Sequence, residues 1–184
     1  MKGCKVLNKT EIKKLLSVAQ DQREKMLVLT GLYFGTRISE TVSLTFGQFE
    51  NTDHVRIKRN KNSRDTTLKI PAVFRKELNV HKKALRRKGY NVEGNAPIFP
   101  SRKGGALRSD SACKILQKMF DRAGIKGKVG AHSFRKCFIT KIYELCDNDI
   151  VQTSAYSGHK NLSSLISYIE TTQETNLTDQ LAWT

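Results

Sequence analysis

The chain has 184 residues, 38% of them hydrophobic, and sets 33 Lys and Arg against 17 Asp and Glu for a formal net charge of +16. That length suits one domain with its own core, and the periodic apolar blocks argue against disorder. The positive excess points to a polyanionic partner, nucleic acid first, while the absence of any apolar run near the roughly 18 residues of a membrane span, or of a basic amphipathic segment with exposed aromatics, speaks against a membrane role.

Asn8-Lys9-Thr10-Glu11 has the form of a capping box, and Ile12, Leu15, Leu16 and Ala19 follow at helical spacing, so a first helix is predicted there. A second apolar pattern, from Met26 to Phe34, stops at Gly35-Thr36, and a short helix restarts at Arg37 with Ile38, Thr41, Val42 and Leu44. Arg37 therefore stands at a helix junction, an unusual place for a guanidinium unless it is paired or binds something. His54–Lys58 and Thr66–Ile70 read as the strands of a β-hairpin with the basic tip Arg59-Asn60-Lys61-Asn62-Ser63-Arg64-Asp65. Pro71 opens a helix running to about Lys88 that carries Lys76, Lys82, Lys83, Arg86, Arg87 and Lys88. The segment 89–105 is loop-rich, with Pro97, Pro100 and Gly104-Gly105. Further helices are predicted over Ser109–Ala123, His132–Leu145, Asp149–Ser157 and Leu162–Ile169, and the remaining residues form a tail. The class expected is mainly α with a small antiparallel β-hairpin, an α+β fold. Cys4, Cys113, Cys137 and Cys146 lie far apart with no C-x-x-C pair, so they read as buried thiols of a reducing compartment, and no metal is expected.

His132 and Arg135, at i and i+3, share one helix face near its N-terminus, as an anion site requires, yet many helices carry H-x-x-R by chance. Gly158-His159 is unremarkable alone. Tyr168, among Leu162, Leu165, Ile166 and Ile169, reads locally as half-buried core. The ordered set is far more specific. G-T-R-I-S-E around Arg37, a basic hairpin, A-H-S-F-R at 131–135, G-H at 158–159 and a tyrosine nine residues later resemble the tyrosine recombinases, the phage-integrase-type enzymes of site-specific recombination, from about Asn8 to Glu170.

The resemblance implies the tyrosine recombinase catalytic-domain fold over 1–170 and a residue-by-residue set of roles. Arg37 and Arg135 grip the scissile phosphate, His132 pairs with the second arginine, His159 is a further phosphate ligand, Tyr168 is the nucleophile and Glu40 supports the site. Lys58 best matches the hairpin lysine that serves as general acid, with Lys61 the competing choice. Ser157 stands where a leucine is usual, and Lys136 where a second histidine is frequent. Arg64, Lys82, Arg86, Arg102, Lys103, Lys136 and Lys160, with Lys61, are candidates for holding double-stranded DNA by its phosphates. The implied activity is strand cleavage and rejoining through a 3′-phosphotyrosine, with no metal, ATP or other cofactor. The expected assembly is a homo-oligomer on DNA, a tetrameric synapse, inside the cytoplasm or the interior of a host cell. A type IB topoisomerase and a catalytically silent DNA-binding relative are the alternatives. A separate N-terminal DNA-clamping domain, usual in the family, is expected to be absent from this chain. The tail 171–184, with Leu177, Leu181 and Trp183, resembles the segment that family members dock on a neighbouring subunit.

Overall fold

The structure is a computed structural model that describes residues 3–59, 63–166 and 168, without the side chain of Ser164. The capping box at Asn8 is formed: its side chain accepts from the Glu11 amide at 2.8 Å, the Glu11 carboxylate accepts from the Asn8 amide at 3.1 Å, and helix α1 runs Lys9–Ser17. Helix α2, Gln22–Phe34, begins a turn before its apolar pattern because Asp21 caps it by accepting from the Glu24 amide. It is buried along most of its length and packs against the later helices, which explains an apolar pattern without one clear stripe.

Helix α2 stops at Gly35, whose φ of 56° is left-handed and whose added Cβ would lie 2.2 Å from the Phe138 ring. Helix α3, Ile38–Val42, restarts after Arg37, and a 3-10 turn follows over Phe46–Phe49, started where Gln48 accepts from the Thr45 amide. The hairpin pairs β1, His54–Ile57, with β2, Thr66–Lys69, antiparallel in the register Val55 to Leu68 and Ile57 to Thr66. Helix α4, Ala72–Arg87, buries Phe74, Leu78, His81 and Leu85 on one stripe and leaves most of its cationic side chains outside. Helices α5, Ser109–Arg122, α6, Ala131–Leu145, α7, Ile150–Ser157, and α8, Leu162–Ile166, complete the described chain, while Ser167 and Ile169 of the predicted last helix lie outside the described residues.

One core joins these elements. Phe34 packs edge-on against Phe74 at 4.7 Å, Phe49 closes on both, and Phe120 stacks on Phe134 at 5.6 Å, linking α2, α4, α5 and α6. The cysteines correct one expectation: Cys4, Cys137 and Cys146 are half-buried and Cys113 is exposed. Cys113 falls beside the buried stripe of Ala112, Leu116, Met119 and Phe120, so the helical period turns it to solvent. Among the described residues no helix is long and apolar enough to cross a membrane.

Candidate active site

Two buried arginines organise the site around helix C-termini. The left-handed turn at Gly35 leaves the Phe34 and Gly35 carbonyls at the negative end of α2, where cations are favoured. Arg135, at the start of the second turn of α6 and fully buried, donates through Nη1 to the Gly35 carbonyl and through Nη2 to the Ser157 carbonyl at 3.1 Å, so it bridges the ends of α2 and α7. Burial first, then the charges of Arg59 and Arg37, lowers its pKa to about 10, which leaves it protonated at neutral pH. Its Nε has no partner among the described residues.

Arg37 precedes α3 and folds back on it. Its amide donates to Glu40 Oε2 at 2.9 Å, its Nη1 to Glu40 Oε1 at 2.8 Å and its Nη2 to Ser63 Oγ at 3.1 Å, while a quarter of the side chain stays exposed. Glu40 is 3% exposed. Burial would raise its pKa, but the Arg37 amide and the Arg59 and Arg37 guanidiniums outweigh that and hold it below the usual carboxylate range.

His159 follows the left-handed Gly158, where a Cβ would meet the Arg64 carbonyl at 2.5 Å, because Arg64 donates its amide to the Gly158 carbonyl and Ser63 bridges to His159. The return limb of the hairpin is thereby stitched to the end of α7. His159 Nε2 lies 3.3 Å from Arg135 Nη2, which can only donate, so the imidazole is neutral and its Nδ1 donates to Ser157 Oγ at 2.8 Å. Burial and the neighbouring arginines push its pKa down to about 4. His132, half-buried one turn before Arg135, is also lowered, by burial and then by Arg135 and Arg37, and its Nε2 has no partner among the described residues. Tyr168 is half-buried, its ring 5.2 Å from the His159 ring and 5.8 Å from the Arg135 guanidinium carbon.

The structure thus gathers Arg37, Glu40, Arg135, His159 and Tyr168 from widely separated stretches, and His132 lies within electrostatic reach of both arginines. Lys58 is exposed and follows β1 on the same pleat face as His54 and Arg56; Lys61 lies outside the described residues. Of the further cations, Arg64, Arg102, Lys103 and Lys160 are exposed and Lys136 is half-buried. Lys82 and Arg86 are instead engaged in ion pairs, Lys82 with Glu50 and Glu93, Arg86 with Glu93. Two contributors escaped the sequence reading. Ser157 holds Arg135 by its carbonyl and His159 by its hydroxyl. Arg59 is the second buried guanidinium, beside Arg135, and the alternation of β1 continued past Ile57 would have placed it inward. Among the described residues no three His, Cys, Asp or Glu side chains come together as a metal site.

The chain is similar to known proteins in sequence and in fold. Over 149 residues the chain is 29% identical to the tyrosine recombinase XerC of Rickettsia bellii, covering 81% of this chain and 47% of that protein. It is 27% identical over 175 residues to the tyrosine recombinase XerH of Campylobacter jejuni, 89% of this chain and 48% of the relative. The chain therefore spans about half the length of these curated relatives. The fold matches a crystal structure of XerH site-specific recombinase bound to its palindromic difH substrate with a TM-score of 0.79 at 21% identity, over 100% of this chain and 54% of that one. It also matches a lambda integrase dimer bound to a COC′ core site, with a TM-score of 0.71 at 14% identity, over 96% and 51% of the two chains. The profile of the Phage integrase family matches residues 5–175, and the chain belongs to that family.

Proposed function

We propose that this chain is the catalytic domain of a site-specific DNA recombinase that cleaves and rejoins strands through a phosphotyrosine formed by Tyr168. The observation that carries the reading is the seating of the Tyr168 ring against neutral His159 and cationic Arg135, in a site that also holds Arg37. A DNA phosphodiester resists attack because its oxygens are anionic and its leaving alkoxide is poor, and both obstacles call for fixed positive charge. Arg37 and Arg135 present forked donors for the non-bridging oxygens and stay charged as the pentacoordinate transition state gains charge. Attack by the Tyr168 oxygen forms the bond to phosphorus and breaks the bond to O5′. The phenol proton passes to the neutral imidazole of His132, whose Nε2 has no partner among the described residues, while His159 already spends its accepting nitrogen on Arg135. The energy of the broken ester is kept in the new one, so a 5′-hydroxyl can reverse the step without ATP, and no metal is needed where guanidiniums carry the charge.

The hairpin supplies the proton for the leaving 5′-oxygen. Lys58 and Lys61 compete for that role, and two observations favour Lys61: Lys58 follows the exposed face of the strand, opposite Arg59, whereas Lys61 stands two residues before Ser63, whose hydroxyl meets Arg37. Double-stranded DNA is the substrate, held along its backbone by exposed cations such as Arg64 and Lys160 beside the site. The reading includes assembly of several copies on DNA, up to a tetrameric synapse, with the tail 171–184 docking on a neighbour; Leu177, Leu181 and Trp183 of that tail lie outside the described residues. The test is a pool of nicked duplexes with randomised core sequence, on which cleavage traps protein covalently. The wild-type chain is expected to form an adduct, and Tyr168→Phe to bind DNA and form none; adduct formation by the Phe variant would overturn the assignment.

A further inference from the structure

Arg59 differs from the two phosphate-gripping arginines in having no donor to give. Its Nε donates to Thr66 Oγ1 at 3.2 Å. Its Nη1 donates to the Gly35 carbonyl at 3.3 Å and to Glu40 Oε2 at 3.0 Å. Its Nη2 donates to the Phe34 carbonyl and to Thr66 Oγ1, each at 3.0 Å. All five N–H groups are therefore directed at acceptors, and none of the side chain is exposed. Arg59 cannot reach DNA. Arg37, by contrast, is a quarter exposed, and Arg135 keeps an unpartnered Nε.

What Arg59 does touch is the carboxylate behind Arg37. Glu40 holds Arg37 by backbone and side chain, an arrangement that orients the guanidinium but also sets a negative charge 2.8 Å from it. Alone, that pair would approach neutrality and weaken Arg37 toward a phosphate. With Arg59 on the other carboxylate oxygen, the three guanidiniums and Glu40 together keep two net positive charges that stay fixed through the reaction, apart from the hairpin lysine, whose charge leaves with the proton it gives to the 5′-oxygen. A phosphodiester brings one negative charge, and the pentacoordinate transition state carries close to two. This fixed charge gains more from the transition state, where the phosphoryl oxygens are more negative, than from the bound substrate, the condition for raising rate rather than affinity. The Gly35 carbonyl, shared by Arg59 and Arg135, ties this charge to the second arginine as well.

Resting on the recombinase reading, we infer that Arg59 is a positioning and charge-compensating residue: by neutralising Glu40 from behind, it lets that carboxylate orient Arg37 without cancelling it. The experiment uses the full chain on the nicked-duplex pool and measures adduct-formation rate and DNA affinity separately. Arg59→Met is expected to slow adduct formation by about 100-fold, the scale of losing one preorganised electrostatic group, with DNA affinity nearly unchanged. Arg59→Lys, which keeps the charge but not the fork, is expected to fall between Met and wild type, and it serves if the Met variant does not fold. Adding Glu40→Gln to Arg59→Met restores the two net charges and is expected to recover about tenfold of the lost rate, because the two sites are coupled. An Arg59→Met protein that cleaves at the wild-type rate, a Lys variant no better than Met, or a double variant whose losses multiply, each overturns the inference while the recombinase reading stands. A wild-type chain that forms no adduct overturns both.

Discussion

Acid should unfold this domain through its histidines before its carboxylates titrate. His159 is 7% exposed and faces Arg135, Arg37 and Arg59, with Glu40 opposing them and Tyr168 and Ser157 against its ring. Burial and those cations hold its pKa at about 4, against 6.5 for an ordinary imidazole. Above pH 6.5 the ring is neutral in both folded and unfolded chain, and the full stability is present. As pH falls from 6.5 toward 4 the unfolded chain takes up a proton that the native site refuses, so stability is lost across that window and no further below it. At about 1.4 kcal/mol per pH unit the loss from His159 is about 3 kcal/mol. His132 and His81, both lowered first by burial, act in the same direction. Glu40, lowered below 4.5, withdraws its contribution only at more acid pH. Urea denaturation followed by circular dichroism from pH 7 to pH 4 measures this. His159→Gln should lose about 3 kcal/mol less than the wild type over that range. Parallel curves for the two proteins would refute the account of a neutral, cation-facing His159.

Three other outcomes follow from the same geometry. Gly35→Ala puts a Cβ 2.2 Å from the Phe138 ring at a left-handed φ of 56°, so it should destabilise by about 2–4 kcal/mol and lower the melting temperature by about 5–10 °C; an unchanged melt would mean the turn is not held as described. Lys61→Ala should cleave poorly on an ordinary duplex but recover on one with a 5′-bridging sulfur, whose thiolate leaves without a proton, while Lys58→Ala should show no such selective rescue; the reverse pattern assigns the general acid to Lys58. DNA affinity, measured by fluorescence anisotropy, should fall by at least about a thousandfold between 50 and 200 mM salt if six or more phosphates are contacted, and a flat salt profile would argue against backbone binding.

Much of this was readable from residues because the signals are local. The capping box at Asn8, the stop at Gly35, the alternation of His54–Ile57 and the stripe of α4 each depend on neighbours a few positions away. Asp21 escaped because its helix is buried nearly all round, so the apolar pattern gives no clean edge to cap. The 3-10 turn at Phe46–Phe49 rests on a side chain, Gln48, that carries no strong turn preference. At the site, the order of motifs identified Arg37, His132, Arg135, His159 and Tyr168 as one set, although Tyr168 and His159 taken singly look structural. The charge system linking them was hidden. Arg59 read as part of a basic loop tip because its burial depends on three distant acceptors, the Phe34 and Gly35 carbonyls and Glu40, that only the folded chain brings to it. Ser157 read only as a replacement for the usual leucine, whereas its hydroxyl receives the Nδ1 proton of the His159 tautomer that Arg135 imposes by donating to Nε2.

The central claim, that Tyr168 joins DNA, can be read directly from the trapped adduct. Trypsin cuts after Lys160, and the peptide beginning at Asn161 contains Tyr168 and no other tyrosine, whereas Tyr143 and Tyr156 fall together in the peptide ending at Lys160. After nuclease trimming, mass spectrometry of the digested adduct should find the residual nucleotide on the Asn161 peptide. A nucleotide on the peptide carrying Tyr143 and Tyr156 would contradict the account.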